Sequence, residues 1–173
     1  TAQDFSIFMT AVPEISPGFS EGDVHLLTFD NKFYDFQSVG DFILAKSTVD
    51  DWQIQIRQSP WPLNTSVSVN TAFATKFDGK TVIFDTNFPT DQKLKSKGVS
   101  KTLTSGESLD GEDFKISRQD NIYTIISPGG DKLIVWDYGN YINIQLFPSN
   151  SRATKLQGLL GNADGIRSND FAL

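Results

Sequence analysis

Near the end of the chain, four oxygen-bearing side chains, Asn162, Asp164, Asn169 and Asp170, crowd into nine residues. They lie within Gly158-Leu159-Leu160-Gly161-Asn162-Ala163-Asp164-Gly165-Ile166-Arg167-Ser168-Asn169-Asp170-Phe171. Carboxylate and amide oxygens at alternate positions of a tight loop can converge on one point. Glycines between them let the backbone turn sharply and offer a carbonyl as well. That chemistry suits a hard cation, calcium above all. Asn, Asp, Ser and Gly are also the residues that polar surface turns favour, so the local pattern has two readings, an ion site or a turn.

Other reactive side chains carry weaker signals. The only histidine, His25, sits in Gly22-Asp23-Val24-His25. Asp23 and His25 share a strand face only if the strand is regular, and the nucleophile elbow of a serine triad is missing. A hydrogen-bonded structural histidine is the plainer reading, with a catalytic Asp–His pair as the other. Asp85, Asp91, Glu107, Asp110, Glu112 and Asp113 could include a glycosidase pair, but surface charge is the default explanation. Fourteen Phe and three Trp are ample for a core. Trp61, between two prolines, is the aromatic residue expected to reach the surface.

Composition narrows the classes. A chain of 173 residues is most simply one domain, able to bury roughly 70% of its unfolded surface. With no cysteine, disulfides, thiolate zinc sites and cysteine nucleophiles are excluded, while the compartment stays open. A net charge of −6 and the lack of a basic stripe argue against nucleic acid. Lys93, Lys95, Lys97 and Lys101 read as a solvated edge strand or loop. No run of about 18 apolar residues could span a membrane. The chain opens without methionine, as a mature fragment or excised domain would, so an export signal would not be visible.

The elements that must position the cluster are strands. Residues 52–58 alternate strictly, with Trp52, Ile54 and Ile56 on one face. Residues 24–29 (a short apolar run), 33–36, 41–46, 66–77, 81–84, 114–116, 121–126, 133–137 and 141–146 also read as strands between turn signals, and Asp78-Gly79 is a strong hairpin turn. Roughly ten or more short strands with little helix predict an all-β fold, an antiparallel sandwich. One helical turn is expected in residues 153–160. Residues 1–21 read as an approach segment, with a short strand at 6–10, and residues 22–173 as the domain.

Residues 22–36, Gly-Asp-Val-His-Leu-Leu-Thr-Phe-Asp-Asn-Lys-Phe-Tyr-Asp-Phe, resemble the opening of the von Willebrand factor type D domain. That opening reads Gly-Asp-Pro-His, then Thr-Phe-Asp-Gly, then an aromatic run ending in Phe, and residues 40–45 look like its next strand. Residues 158–165 and 169–171 resemble its closing Gly-Leu-Cys-Gly-Asn-Phe-Asn-Gly and Asp-Asp-Phe. The resemblance covers residues 22–173. It implies a β-sandwich that binds calcium through the closing loop and an acidic residue of the opening motif. By position, the side-chain ligands it implies are Asp30, Asn162, Asp164, Asn169 and Asp170, with the Ile166 carbonyl as a sixth. Such a set suits calcium, which takes six to eight oxygens, better than magnesium.

The departures from the family are specific. Leu160 stands where the closing motif has Cys, and Gly40 falls where the next strand has one, so disulfide-linked oligomers are out. The chain looks like the cysteine-free, prokaryotic form of the module. Some family members cleave themselves at the Asp-Pro bond; here Val24 replaces the proline, so the Asp23–Val24 bond should stay intact and Val24 can donate a backbone hydrogen bond.

The expectation is a non-enzymatic calcium-binding structural or adhesion module of a larger secreted or cell-surface protein. Its partners would be other domains of the parent protein, or a surface or matrix protein or glycan, without nucleic acid and without membrane insertion. The alternative is a self-processing or hydrolytic domain using Asp23 and His25. A third reading places a lipid or glycan between the sheets.

Overall fold

Alternation of apolar and polar residues builds both halves of the core. In β5 (Gln53–Trp61), Ile54, Ile56 and Gln58 turn inward, and in β14 (Ile142–Phe147), Ile142, Ile144 and Leu146 do so. A strand with this period buries one face and leaves the other to water. The computed structural model describes residues 14–110 and 113–171; the strand expected at residues 6–10 lies outside them.

Among the described residues there are fifteen strands and two short 3₁₀ turns. The remaining strands are β1 (Gly18–Glu21), β2 (His25–Leu27), β3 (Phe33–Asp35), β4 (Gly40–Ser47), β6 (Asn64–Phe77), β7 (Lys80–Asp85), β8 (Leu94–Ser96), β9 (Val99–Lys101), β10 (Ser108–Leu109), β11 (Lys115–Gln119), β12 (Ile122–Ile126), β13 (Lys132–Asp137) and β15 (Leu156–Gln157). One antiparallel sheet runs β10-β11-β12-β13-β14-β1-β2-β3, the other β15-β4-β5-β6-β7-β8-β9. The all-β sandwich read from the sequence is the fold. Among the described residues, no helix is long and apolar enough to cross a membrane.

Aromatic rings bridge the layers: Phe73 stacks on Phe84 within one sheet, and Phe84 meets Tyr123 of the other edge-on at 5.2 Å. Asp78 and Gly79 both take positive φ, 50° and 72°, the type I′ geometry that matches strand twist. Asp51 accepts hydrogen bonds from both their N–H groups at 2.7 and 2.8 Å.

Three local expectations change. β1 lies inside the segment read as an approach, paired between β14 and β2. The helical turn falls at Asn150–Arg152, just before residues 153–160, which instead supply β15. Lys93 is buried, its Nζ donating to both Asp137 carboxylate oxygens and the Gly139 carbonyl at 2.9 Å. The neighbouring sequence is polar, but Lys93 immediately precedes β8 and points inward.

Candidate metal site

Asp30 stands in the turn joining β2 to β3. Thr28 shapes that turn: its N–H donates to the Lys32 carbonyl and its hydroxyl accepts from the Lys32 N–H, both at 2.9 Å. Asn31, with φ 62°, fills a left-handed position that asparagine tolerates better than most residues. The closing segment is laid against the opening one by backbone bonds. Leu159 and Leu160 N–H donate to the Ile43 and Leu44 carbonyls at 3.1 and 3.0 Å, and Phe29 N–H donates to the Leu160 carbonyl at 3.0 Å. Leu160 is fully buried, so the position where the family carries Cys is an apolar core position, contributing about 2 kcal/mol through burial.

Four of the six sequence-indicated residues, Asp30, Asn162, Asp164 and Asn169, form one hydrogen-bonded network through their side chains, and Asp170 lies beside Asp30. The Asp30 carboxylate accepts from the Gly165 N–H at 2.8 Å and the Asp164 N–H at 3.2 Å. Asn169 Nδ2 donates to Asp164 Oδ2 at 2.7 Å, and Asn162 Nδ2 reaches the same oxygen and Asn169 Oδ1 at 3.2 Å. Asp164 Oδ1 accepts from the Ile166 N–H at 2.8 Å. The sixth, Ile166, contributes backbone only; its carbonyl accepts from the Asn169 N–H at 3.2 Å, and its side chain is exposed.

Asp170 is the buried member, at 6% exposure. Oδ2 accepts from the Thr28 hydroxyl at 2.8 Å, while Oδ1 is buried with no hydrogen-bond partner. Burial pushes the Asp170 carboxyl above the usual carboxylate range, and the neighbouring Asp30 carboxylate pushes the same way against the Thr28 hydrogen bond. Gly161, with φ +81°, passes so close that a Cβ there would overlap the Asp170 carboxylate. A partnerless buried carboxylate oxygen beside a second carboxylate is what a hard cation would relieve. Among the described residues, no three His, Cys, Asp or Glu side chains converge to hold a metal by themselves. Amide and carbonyl oxygens would have to complete the shell. Thr28 was visible in the sequence only as the first residue of the Thr-Phe-Asp motif, not as a partner of Asp170.

The Asp23–His25 pair is real in space and has a third member. His25 Nε2 meets Asp23 Oδ1 and Nδ1 meets Asp35 Oδ1, both at 2.7 Å, and the ring stacks on Phe33. Asp35 is the register partner of His25 across β2 and β3. Two carboxylates on the two ring nitrogens hold an imidazolium, which donates from both. The Asp35 hydrogen bond raises the His25 pKa above 6.5, outweighing the opposing effect of burial. Its contribution to stability is therefore fully present below the unfolded pKa and is lost as pH rises through the raised folded one. An NMR titration should place the His25 pKa above 6.5, and Asp35→Asn should bring it down; an unmoved midpoint would show that the contact is not made in solution.

Val24, between them, has φ 26° and a fully buried side chain. Its carbonyl accepts from the Phe36 N–H at 3.1 Å. Proline, held near −65°, could not adopt that conformation, so valine goes with this backbone. Asp85 and Asp113, read as surface charges, are buried and paired: Arg57 bridges Asp85 and Asp41, and Lys80 and Lys97 both reach Asp113. Glu112 lies outside the described residues.

A family model of the von Willebrand factor type D domain matches residues 20–173. The human protein Sushi domain-containing protein 2 is 22% identical over 170 residues, covering 93% of this chain and 20% of that relative. The chain thus spans about a fifth of that relative's length. An opening hairpin with the closing loop seated on it, within a sandwich that the family model spans almost completely, leads to one conclusion: the chain belongs to the von Willebrand factor type D domain family.

Proposed function

We propose that this domain is a non-enzymatic, calcium-stabilised module of a larger secreted or cell-surface protein, working in adhesion or matrix assembly. The observation that carries the calcium reading is the buried, partnerless Oδ1 of Asp170 beside the Asp30 carboxylate. Asp30, Asn162, Asp164, Asn169, Asp170 and the Ile166 carbonyl are the groups that would hold the ion. It would supply charge neutralisation and a fixed link between the β2–β3 turn and the chain's last loop. Family membership supports a modular role within a longer protein, and the held imidazolium at His25 favours a structural over a catalytic role for Asp23 and His25.

Isothermal calorimetry against calcium, with thermal melts in calcium and in chelator, tests the reading. Binding stabilises by mass action, about 2.7 kcal/mol at a hundredfold excess over Kd, and extracellular modules bind at about 10⁻⁴–10⁻³ M. Asp164→Ala should abolish the calcium-dependent part of the melting temperature. In chelator it should lose only the smaller contribution of the Ile166 N–H and Asn169 contacts, about 1 kcal/mol. No heat of binding at millimolar calcium, with identical melts in chelator, would end the calcium assignment. Mass spectrometry after incubation at mildly acidic pH should find the chain whole; a fragment starting at Val24 would favour self-processing.

A further inference from the structure

At the end of β2 away from Asp30, the two sheets part around a cleft of about 430 Å³ lined by Gly22, Asp23, Trp61, Asn64, Val67, Val69 and Tyr141. That volume falls within the roughly 300–1,000 Å³ of small-molecule sites. One wall is the tip of the β5–β6 hairpin, where Trp61 pairs with Asn64 across a two-residue turn, Pro62-Leu63. The facing wall comes from the other sheet: Tyr141, just after the β13–β14 turn, and the β1–β2 turn with Asp23.

The aromatic rings form a built surface. Trp61 and Tyr141 meet at 90° with centroids 5.8 Å apart, making a corner. Tyr138 stacks behind Tyr141 at 4.8 Å and holds its plane. Two polar side chains stand at the rim: Asp23, whose Oδ1 is held by His25, and Asn64, whose Oδ1 accepts from the Ser66 N–H at 3.1 Å. Among the described residues, no lysine or arginine lines the cleft.

We propose that this cleft binds a neutral saccharide, with a pyranose ring seated in the Trp61–Tyr141 corner. A pyranose ring has an apolar face of C–H bonds, which packs on the electron-rich face of an aromatic ring. Its edge carries hydroxyls, which the Asp23 carboxylate can accept from and the Asn64 amide can donate to. An anionic ligand would meet the Asp23 carboxylate, whose His25 partner is already shared with Asp35, and would find no lysine or arginine among the described lining residues to pair with. A purely apolar ligand would desolvate both rim groups without replacing their hydrogen bonds. The site lies apart from the Asp30–Asp170 network, and it names a partner class for the adhesion reading without depending on calcium.

The test is NMR of the whole domain, following the Trp61 indole N–H, assigned with Trp61→Phe. The probes are methyl glycosides and disaccharides of glucose, galactose, mannose and N-acetylglucosamine, added to about 10 mM, beyond the weak 1 mM point of the affinity scale. At least one sugar should shift the Trp61 resonance saturably, in calcium and in chelator alike. Trp61→Ala and Tyr141→Ala, both read through the backbone amides of the lining residues Asp23 and Asn64, should each weaken that sugar about tenfold or more with the melting temperature kept, and either variant suffices if the other fails to fold. Three results would overturn the proposal: no sugar shifting the resonance, sugar binding unchanged in both variants, or a proline-rich peptide shifting it where no sugar does. Loss of calcium binding with saccharide binding intact would sink only the calcium reading.

Discussion

Arg152→Met is expected to destabilise the domain by about 3–5 kcal/mol, the cost of stripping one partner from a buried ion pair. Arg152 and Asp131 are 5% and 3% exposed, and the guanidinium Nε donates to Asp131 Oδ1 at 2.6 Å. Its NH1 reaches both oxygens of Asp50 at 3.1 and 3.2 Å, and its face lies 4.3 Å from the centre of the Trp52 ring. Asp131 comes from the β12–β13 turn of one sheet and Asp50 from the β4–β5 turn of the other. The arginine therefore ties the two layers at one end in a chain with no cysteine to do so. Methionine keeps contact with Trp52, so the loss isolates the charge. Urea unfolding should show the fall, and the melting temperature should drop by about 6–20 °C. The double variant Arg152→Met, Asp131→Asn removes the stranded carboxylate and should recover at least about 1 kcal/mol, because coupled groups do not add. Equal stability of the single and double variants would mean that the Ser127 hydroxyl and the Ser149 N–H, which also donate to Asp131 at 2.9 Å, satisfy it without Arg152.

Asp170→Asn should have opposite signs with and without calcium. In chelator the wild-type carboxylate is buried, short of one donor and pressed against Asp30. Asparagine keeps an acceptor for Thr28 and removes the charge, so it should stabilise by about 1–2 kcal/mol. The pH dependence has a matching sign. Because the Asp170 pKa is raised on folding, its contribution is fully present below the ordinary carboxylate pKa and is lost as pH rises through the raised value. Asparagine should flatten that decline. In saturating calcium the same substitution takes away a charged ligand, and the increment of about 2.7 kcal/mol at hundredfold excess should shrink towards zero. Paired melts in chelator and calcium read both signs at once. A variant equally weakened in both would mean that Asp170 serves the fold alone.

These two substitutions lie in regions that local sequence describes differently. The Asn162–Asp170 cluster is visible as a pattern because its side chains are neighbours in sequence. Arg152 is one charged residue in Ser-Asn-Ser-Arg-Ala-Thr, and nothing in that polar run marks it as buried. The same holds for Lys93, which differs from Lys95 and Lys97 only in the direction it points. His25 and Asp23 could be suspected from spacing. Asp35 could not, since it meets His25 through the β2–β3 register across a turn.

What the sequence determined by itself was whatever has a short period or a short span. Alternation at 52–58 and 141–146 dictates strands because successive side chains face opposite ways. Asp78-Gly79 dictates a hairpin because its geometry demands positive φ. The opening and closing motifs named the family. The tertiary structure alone decided which charges are buried and which oxygens meet. Asp30 reaches the Asp164 and Gly165 N–H groups, and Thr28 reaches Asp170, across separations of 134, 135 and 142 residues. Trp61 and Tyr141 form their corner from opposite sheets. Such contacts depend on how two sheets stack and where their turns fall, a packing of whole layers that no local window of residues encodes.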